Sequence, residues 1–311
     1  MFRHSFLLFI AVVFLLNSGV VSASAGSIEN MAHRGAAGIA PENTMVAFKT
    51  AVTRCGAGWV ELDVHISKDG VPVIIHDDSL VRTTNAEEVY PDRSPWRVCD
   101  FTFAELSRLD AGKWFVEKDP FKSIAGGEVP AEDKEYFASG KVKIPALRGV
   151  LTLMKSLNCK VNIEVKNYPV YYPGIAKKVI SDIKSLGMEK DVLISSFDLE
   201  ILAEISKISP EFRLAALIEQ PVVLTSQYFK DTLKVSAWNP GSDILGQSSK
   251  EYIYNGKLRT DLIAKAKEIG LDTYVWTVDE PEIMKEFIKA GVSGIITNFP
   301  HRLTAVLGKS K

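Results

Sequence analysis

The most constraining feature of the sequence is a repeated alternation, after residue 30, of short apolar runs with segments of helical periodicity. Strands that alternate with helices are typical of α/β folds built on a parallel sheet. Eight such strands over this length predict a (β/α)8 TIM barrel. The alternative is an open, doubly wound sheet, but no glycine-rich dinucleotide fingerprint follows the first strand. The eight predicted strands lie near residues 31, 59, 160, 192, 213, 235, 272 and 294.

Two segments depart from this alternation. An additional strand is predicted over Val71–His76, folding back on the second strand through the turn Lys68-Asp69-Gly70. Residues that face each other across this hairpin then have numbers summing to roughly 138, which pairs His76 with Leu62. The region from about 77 to 143 is rich in Asp, Glu, Pro and Gly, and so long a connection is usually functional or a small subdomain. We therefore expect an inserted subdomain after the second strand unit, over the carboxyl-terminal face of the barrel.

The first 25 residues have the layout of a secretory signal peptide. A short basic start precedes the apolar run Ser5–Leu16, and small residues up to Ala25 offer cleavage sites. This run of about 12 residues is shorter than the ~20 that a membrane-spanning helix needs. We therefore expect one barrel domain over residues 26–311, exported to the periplasm or secreted, without stable membrane insertion. The alternative is that the segment remains as an uncleaved anchor.

The balance of charge restricts the partners of the chain. Its 37 Lys and Arg residues nearly match its 38 Asp and Glu residues, which excludes a strongly basic nucleic-acid binder. A hydrophobic content of 46% and a charged content of 24% are those of ordinary soluble globular proteins. We expect a small-molecule partner and no nucleic acid, and no protein partner is implied.

Several carboxylates stand on predicted strands where apolar residues would be expected. Glu61 and Asp63 share one face of the second strand, and Glu164 lies on the third strand of the barrel. Carboxylates that meet at the mouth of a barrel repel one another unless they are protonated or neutralised by a cation. Their oxygen atoms suit a hard divalent ion, Ca²⁺ or Mg²⁺. The alternative is that they form salt bridges with Arg34 and Lys166, and the pattern alone does not decide between the two.

Two histidines flank this predicted cluster. His33 ends the first strand, and the hairpin register brings His76 beside the second strand, between Glu61 and Asp63. A pair of imidazoles can supply an acid and a base near neutral pH, although sequence does not say which is which. Together with a metal ion and two basic side chains, they favour phosphoryl transfer on an anionic substrate.

A series of short motifs stands in a fixed order along nearly the whole chain after the signal segment. They are Met31-Ala32-His33-Arg34-Gly35, Pro41-Glu42-Asn43-Thr44, Glu61-Leu62-Asp63-Val64, Lys68-Asp69-Gly70, His76-Asp77, Arg82-Thr83-Thr84, Leu109-Asp110-Ala111-Gly112, Ile144-Pro145-Ala146-Leu147, Glu164-Val165-Lys166, Ser195-Ser196-Phe197, Val275-Trp276-Thr277-Val278 and Thr297-Asn298-Phe299-Pro300. In these motifs and in their order along the chain, the sequence resembles the glycerophosphodiester phosphodiesterases. The resemblance implies a (β/α)8 barrel with a subdomain inserted after the second strand. It also implies hydrolysis of a glycerophosphodiester to glycerol 3-phosphate and an alcohol such as choline or ethanolamine.

The resemblance further implies roles for eight side chains and one divalent cation, which we expect to be Ca²⁺ rather than Mg²⁺. The residues are the acid–base pair His33 and His76, the metal ligands Glu61, Asp63 and Glu164, the phosphate-binding Arg34 and Lys166, and Trp276 on the glycerol side of the pocket.

Other functions on the same scaffold remain open at this point. A phospholipase D-like enzyme acting on lysophospholipids or sphingomyelin would need an apolar wall or a lipid-docking loop. The insertion offers aromatic residues for such a wall, although core packing explains them as readily. More distant alternatives are a non-catalytic periplasmic binder of phosphate esters and a metal-dependent sugar isomerase. The aromatic residues in question are Trp96, Phe101, Phe103, Trp114 and Phe115.

Overall fold

The structure, a computed structural model, describes residues 28–246 and 258–308. The predicted signal segment, residues 1–25, lies outside the described residues. Within the described part of the chain, nine strands form one sheet. They are β1 (Glu29–Ala32), β2 (Trp59–Ile66), β3 (Pro72–Ile74), β4 (Lys160–Val165), β5 (Val192–Ser196), β6 (Arg213–Ile218), β7 (Ala237–Pro240), β8 (Asp272–Val275) and β9 (Gly294–Thr297).

Pairing of the strands closes the sheet into a barrel. The strand order is β1-β9-β8-β7-β6-β5-β4-β2-β3, and β1 also pairs with β2, so the eight parallel strands form a ring. This closure confirms the predicted (β/α)8 barrel, because an open doubly wound sheet would leave two free edge strands. The hairpin register is also confirmed, since Val64 pairs with Ile74 and His65 with Val73. The return strand β3 is shorter than the predicted Val71–His76, although backbone hydrogen bonds across the hairpin continue at Val71 and Ile75.

Helices surround the barrel and cover its outer face. In α7, Ile175, Val179 and Ile183 recur at helical spacing and are all buried against the barrel. The described helices are α1 (Met45–Thr53), α2 (Ala86–Val89), α3 (Phe103–Leu106), α4 (Lys113–Lys118), α5 (Ala131–Ala138), α6 (Leu147–Ser156), α7 (Ile175–Leu186), α8 (Leu199–Ile208), α9 (Thr260–Glu268), α10 (Pro281–Ala290) and α11 (Pro300–Val306).

The inside of the barrel is divided into an apolar floor and a polar mouth. Because side chains alternate along a strand, Trp59 projects to the same side of β2 as Glu61, one step below it. Trp59 packs with Met31, Tyr274 and Ile296 in a buried cluster inside the ring. The charged side chains of the mouth therefore rest on a closely packed apolar layer, which restricts their movement.

The inserted subdomain predicted after the second strand unit is present. Helices α2 to α5 lie between β3 and α6, and a small apolar core formed around Leu80, Phe101 and Leu109 packs beneath them. Phe101 and Phe115 are fully buried, and Trp114 is 8% exposed, so these aromatic residues of the insertion serve packing. In residues 28–246 and 258–308, no helix is both long and apolar enough to cross a bilayer.

Candidate active site

A cavity of about 260 Å³ opens at the carboxyl ends of the barrel strands, where active sites of this fold occur. Seven of the eight residues proposed from sequence line it, and the eighth, Asp63, is buried against Arg34 and Lys166. The seven come from the ends of β1, β2, β4 and β8 and from the segment after β3. They are His33, Arg34, Glu61, His76, Glu164, Lys166 and Trp276.

The three predicted metal ligands form one compact cluster. Glu61, Asp63 and Glu164 each offer a carboxylate oxygen, and these atoms lie within 4.8 Å of one another. Register explains the contact, because β2 and β4 are neighbours and Asp63 pairs with Glu164. Burial, followed by repulsion from the other two carboxylates, raises the pKa of Glu61 well above its ordinary value. A buried set of three carboxylates can hold a metal ion, and its all-oxygen chemistry fits a hard divalent cation.

Basic side chains also reach this cluster. The ammonium of Lys166 lies 3.0 Å from Asp63 Oδ1 and contacts Glu164 Oε1, and the guanidinium Nε of Arg34 lies 3.5 Å from Asp63 Oδ2. Burial alone would raise the pKa of Asp63, but the charges of Lys166, His76 and Arg34 hold it well below its usual range. The salt bridges to Arg34 and Lys166, which the sequence offered as the alternative to a metal ion, are therefore present within the carboxylate cluster. Two cations face these three carboxylates, so their charges do not balance and the cluster can accept a further positive charge.

His33 is held at the end of β1 by a side chain from the opposite end of the sequence. Its Nδ1 lies 2.8 Å from Asn298 Oδ1, and its Nε2 is 4.0 Å from Glu61 Oε2. Burial, reinforced by the charge of Arg34, lowers the pKa of His33 to about 3. The imidazole is consequently neutral at physiological pH and can accept a proton.

His76 has a different environment. Its Nδ1 lies 2.6 Å from Asp77 Oδ1, and the other oxygen of that carboxylate accepts a 2.6 Å hydrogen bond from Arg82 Nε. Burial would raise the pKa of Asp77, but its bonds to His76 and Arg82 lower it strongly. A carboxylate only accepts hydrogen bonds, so Asp77 orients the imidazole of His76 by accepting the N–H of its Nδ1.

A buried glutamate links the two sides of the site. Glu42, which is 8% exposed, accepts a 3.0 Å hydrogen bond from Arg34 and bonds of 2.9 and 2.7 Å from Arg82. Arg82 thus joins Asp77, the partner of His76, to Glu42, the partner of Arg34. Our sequence reasoning gave no role to these connecting residues. All three, Glu42, Asp77 and Arg82, stand in the motifs described above, but the spacing of the motifs carries no sign of the contacts between them.

The remaining wall of the cavity is aromatic. The rings of Phe197 and Trp276 meet edge to face with centroids 5.6 Å apart, and the indole N–H of Trp276 donates a 2.8 Å hydrogen bond to the carbonyl of Asn239. Glu219 also lines this side, and sequence reasoning missed it. His65, to which no role was given, is buried between the hydroxyl of Tyr172 and the carbonyl of His76. These contacts give it a structural function.

The cavity of the barrel brings together two histidines, two basic side chains and a carboxylate cluster, a set that suits hydrolysis of phosphate esters, and comparison with known proteins identifies the family. A sequence profile of the Glycerophosphoryl diester phosphodiesterase family matches residues 33–302. The chain belongs to this family of phosphoric diester hydrolases, as its motifs had predicted.

Individual relatives agree with this placement. A glycerophosphodiester phosphodiesterase of Caldanaerobacter subterraneus subsp. tengcongensis is 35% identical over 279 residues, covering 90% of this chain and 97% of the relative. The crystal structure of a glycerophosphodiester phosphodiesterase from Agrobacterium tumefaciens is 27% identical, with a TM-score of 0.65, over 89% of this chain and 99% of that one. A phosphodiesterase of Oleispira antarctica, solved in complex with the product sn-glycerol-3-phosphate, is 21% identical and shares the fold, with a TM-score of 0.69 over 90% and 96% of the two chains.

Proposed function

We propose that this protein hydrolyses glycerophosphodiesters to sn-glycerol 3-phosphate and an alcohol, by acid–base catalysis with two histidines and with one bound divalent cation. The observation that carries the proposal is that His33 and His76 line one cavity together with Arg34, Lys166 and the carboxylate cluster. The sn-glycerol-3-phosphate bound to the Oleispira antarctica phosphodiesterase supports glycerol phosphate as the product.

Glu61, Asp63 and Glu164 would hold the cation. When bound, a divalent ion at such a site neutralises carboxylate charge and polarises an oxygen of the phosphoryl group. We favour Ca²⁺ over Mg²⁺, because Ca²⁺ accepts irregular sets of oxygen ligands whereas Mg²⁺ demands near-octahedral geometry. The three carboxylates are fixed by the backbones of two adjacent strands, which limits their adjustment.

Arg34 and Lys166 would bind the negative oxygens of the phosphodiester. Both line the cavity, and they share one carboxylate partner, Asp63. Trp276 would lie against the glycerol carbon atoms, since an aromatic face packs well on the C–H groups of a polyol. The substrate is thereby oriented with its phosphorus between the two imidazoles.

The two histidines would divide the proton transfers. His33 is the base: it takes a proton from the attacking oxygen while that oxygen bonds to phosphorus. The attacking oxygen is that of water, or that of the substrate's own glycerol hydroxyl, in which case water then opens the cyclic phosphodiester to glycerol 3-phosphate. His76 is the acid: it gives a proton to the alcohol oxygen as its bond to phosphorus breaks. The division follows from their surroundings, because His33 has a lowered pKa whereas His76 is paired with the carboxylate of Asp77.

A single experiment tests the function as a whole. The purified protein is treated with a chelator and assayed on a panel of glycerophosphodiesters, with Ca²⁺ or Mg²⁺ added back. We expect release of sn-glycerol 3-phosphate that disappears on chelation and returns most fully with Ca²⁺. Unaltered turnover after complete removal of divalent ions would contradict the cation's role. Absence of turnover on every substrate under all conditions would contradict the proposed activity.

A phospholipase D-like activity on lysophospholipids is the second candidate. It would need an apolar wall long enough for an acyl chain; Phe101, Trp114 and Phe115 of the insertion are used in packing, which leaves Phe197 and Trp276 as the aromatic residues of the described cavity lining. Assays with glycerophosphocholine beside lysophosphatidylcholine separate the two, and we expect preference for the former.

A further inference from the structure

His33 can serve as a base only if its lone pair is on Nε2, because Nδ1 is occupied by Asn298. We propose that Asp279 is a positioning residue that fixes this tautomer, acting through the side-chain amide of Asn298. The inference rests on the proposed function, in which His33 takes the proton. Asp279 is absent from the described lining of the cavity and therefore acts through its neighbours.

The direction of each hydrogen bond follows from the chemistry of Asp279. A carboxylate has no proton to donate, so it can only accept. The Nδ2 of Asn298 lies 2.8 Å from Asp279 Oδ2 and must be the donor. The amide oxygen of Asn298 then points the other way, 2.8 Å from His33 Nδ1, and an amide oxygen also only accepts. His33 Nδ1 must carry the proton, which leaves Nε2 of the neutral ring with its lone pair.

Further bonds keep the carboxylate in this orientation. Asp279 Oδ1 accepts a 2.9 Å hydrogen bond from the backbone N–H of Asn298 and a 3.1 Å bond from the hydroxyl of Thr297. Thr297 is fully buried, and its carbonyl accepts a 2.9 Å bond from the backbone N–H of His33. Rotation of the Asn298 amide would place its N–H groups against His33 and its oxygen against Asp279, so two acceptors would face each other.

The barrel explains why these residues meet. The strands β8, β9 and β1 are consecutive neighbours in the ring. Asp279 follows β8, Asn298 follows β9 and His33 follows β1, so all three stand at the same end of adjacent strands. The arrangement resembles in its logic the carboxylate that orients a catalytic histidine in other hydrolases, with an amide inserted between the two.

The test is the tautomer of His33, read by ¹⁵N–¹H NMR of the whole protein labelled in its histidine rings, beside kcat and KM on glycerophosphocholine. His33→Gln identifies the resonances of His33. We expect the wild-type protein to carry the proton on Nδ1. In Asp279→Asn, the new amide donates to Asn298, the Asn298 amide rotates, and its N–H then donates to His33 Nδ1. The proton should move to Nε2, and kcat should fall on the order of 10²–10⁴-fold with little change in KM.

A swapped pair provides the rescue. In the double variant Asp279→Asn, Asn298→Asp, the new amide can donate to the new carboxylate, which again accepts from His33 Nδ1. The tautomer should return to Nδ1–H, and most of the lost kcat should be recovered. Asp272→Asn is the matched control, because Asp272 lies at the opposite end of β8 and bonds Arg213 and Ser293. It should leave both the tautomer and kcat unchanged.

The outcomes separate this inference from the proposed function. If wild-type His33 carries its proton on Nε2, or if Asp279→Asn keeps it on Nδ1 while remaining folded, Asp279 does not set the tautomer and the inference fails. If the tautomer switches but kcat stays within about threefold, the positioning is supported, whereas the role of His33 as the base is refuted.

Discussion

Replacing Arg82 by methionine removes a cation that joins Asp77, the partner of His76, to Glu42, the partner of Arg34. Its guanidinium makes four hydrogen bonds, of 2.9 and 2.7 Å to Glu42 and of 2.6 and 3.1 Å to Asp77. Breaking a buried ion pair by removing one partner costs about 3–5 kcal/mol. The Arg82 side chain is 39% exposed, so water replaces part of the lost interaction and we expect a loss of about 2 kcal/mol.

The loss should depend on pH in a defined direction. Burial would raise the pKa of Glu42, but bonds from Arg82 and the charge of Arg34 lower it below its ordinary value. A carboxylate with a lowered pKa in the folded protein stabilises the fold above its unfolded pKa, and this contribution is lost as pH falls through the folded value. The difference in free energy of unfolding between wild type and Arg82→Met should be largest near pH 7 and should shrink as pH falls below about 4.

Denaturant unfolding at several pH values measures this difference, and kcat on glycerophosphocholine measures its effect on the site. We expect kcat to fall by roughly 10- to 100-fold, because small displacements of catalytic groups are costly. Arg93→Met is the control: Arg93 pairs with Glu105 in the same insertion, its side chain is 33% exposed, and it does not line the cavity. That variant should lose stability but keep its kcat. A difference below about 0.5 kcal/mol for Arg82→Met, or one that does not change with pH, would refute the reasoning.

Three further predictions concern the cation, the histidines and the first residues of the chain. Glu164→Gln should weaken binding of Ca²⁺ strongly without unfolding the protein, because it removes one of three clustered carboxylates; unchanged binding in calorimetry would exclude it as a ligand. His76→Ala should lose much less activity on an aryl phosphodiester, whose leaving group needs no proton, than on glycerophosphocholine, whereas His33→Ala should lose on the order of 10²–10⁴-fold on both. Equal and small losses in all four assays would show that neither imidazole takes part in the chemistry. We propose that the chain is exported and cleaved near Ala25, and N-terminal sequencing of the secreted or periplasmic protein should then begin close to residue 26; an intact Met1 in a soluble cytoplasmic fraction would contradict this.

Local patterns in the sequence were sufficient to predict the barrel and the residues at the centre of its cavity. Strand and helix periodicities depend on nearby residues, so the eight parallel strands could be counted without knowledge of their contacts. The alternation of side chains along β2 put Glu61 and Asp63 on one face, and the hairpin turn fixed the position of His76. Family motifs then added Arg34, Lys166 and Trp276, and all three line the cavity.

Which side chains hold the site residues in place depends on the tertiary structure. Asn298 is 265 positions from His33 in sequence and becomes its partner only because closure of the ring makes β9 the neighbour of β1. Arg82 belongs to an irregular insertion, and its contact with Glu42 depends on how that subdomain packs over the mouth of the barrel. Hydrogen bonds between side chains act only at about 3 Å and leave no periodic trace in sequence, whereas burial of strands and helices imposes one. The proposed role of His33 as the base rests on its burial and on its distant partner Asn298, and neither can be read from a local sequence pattern.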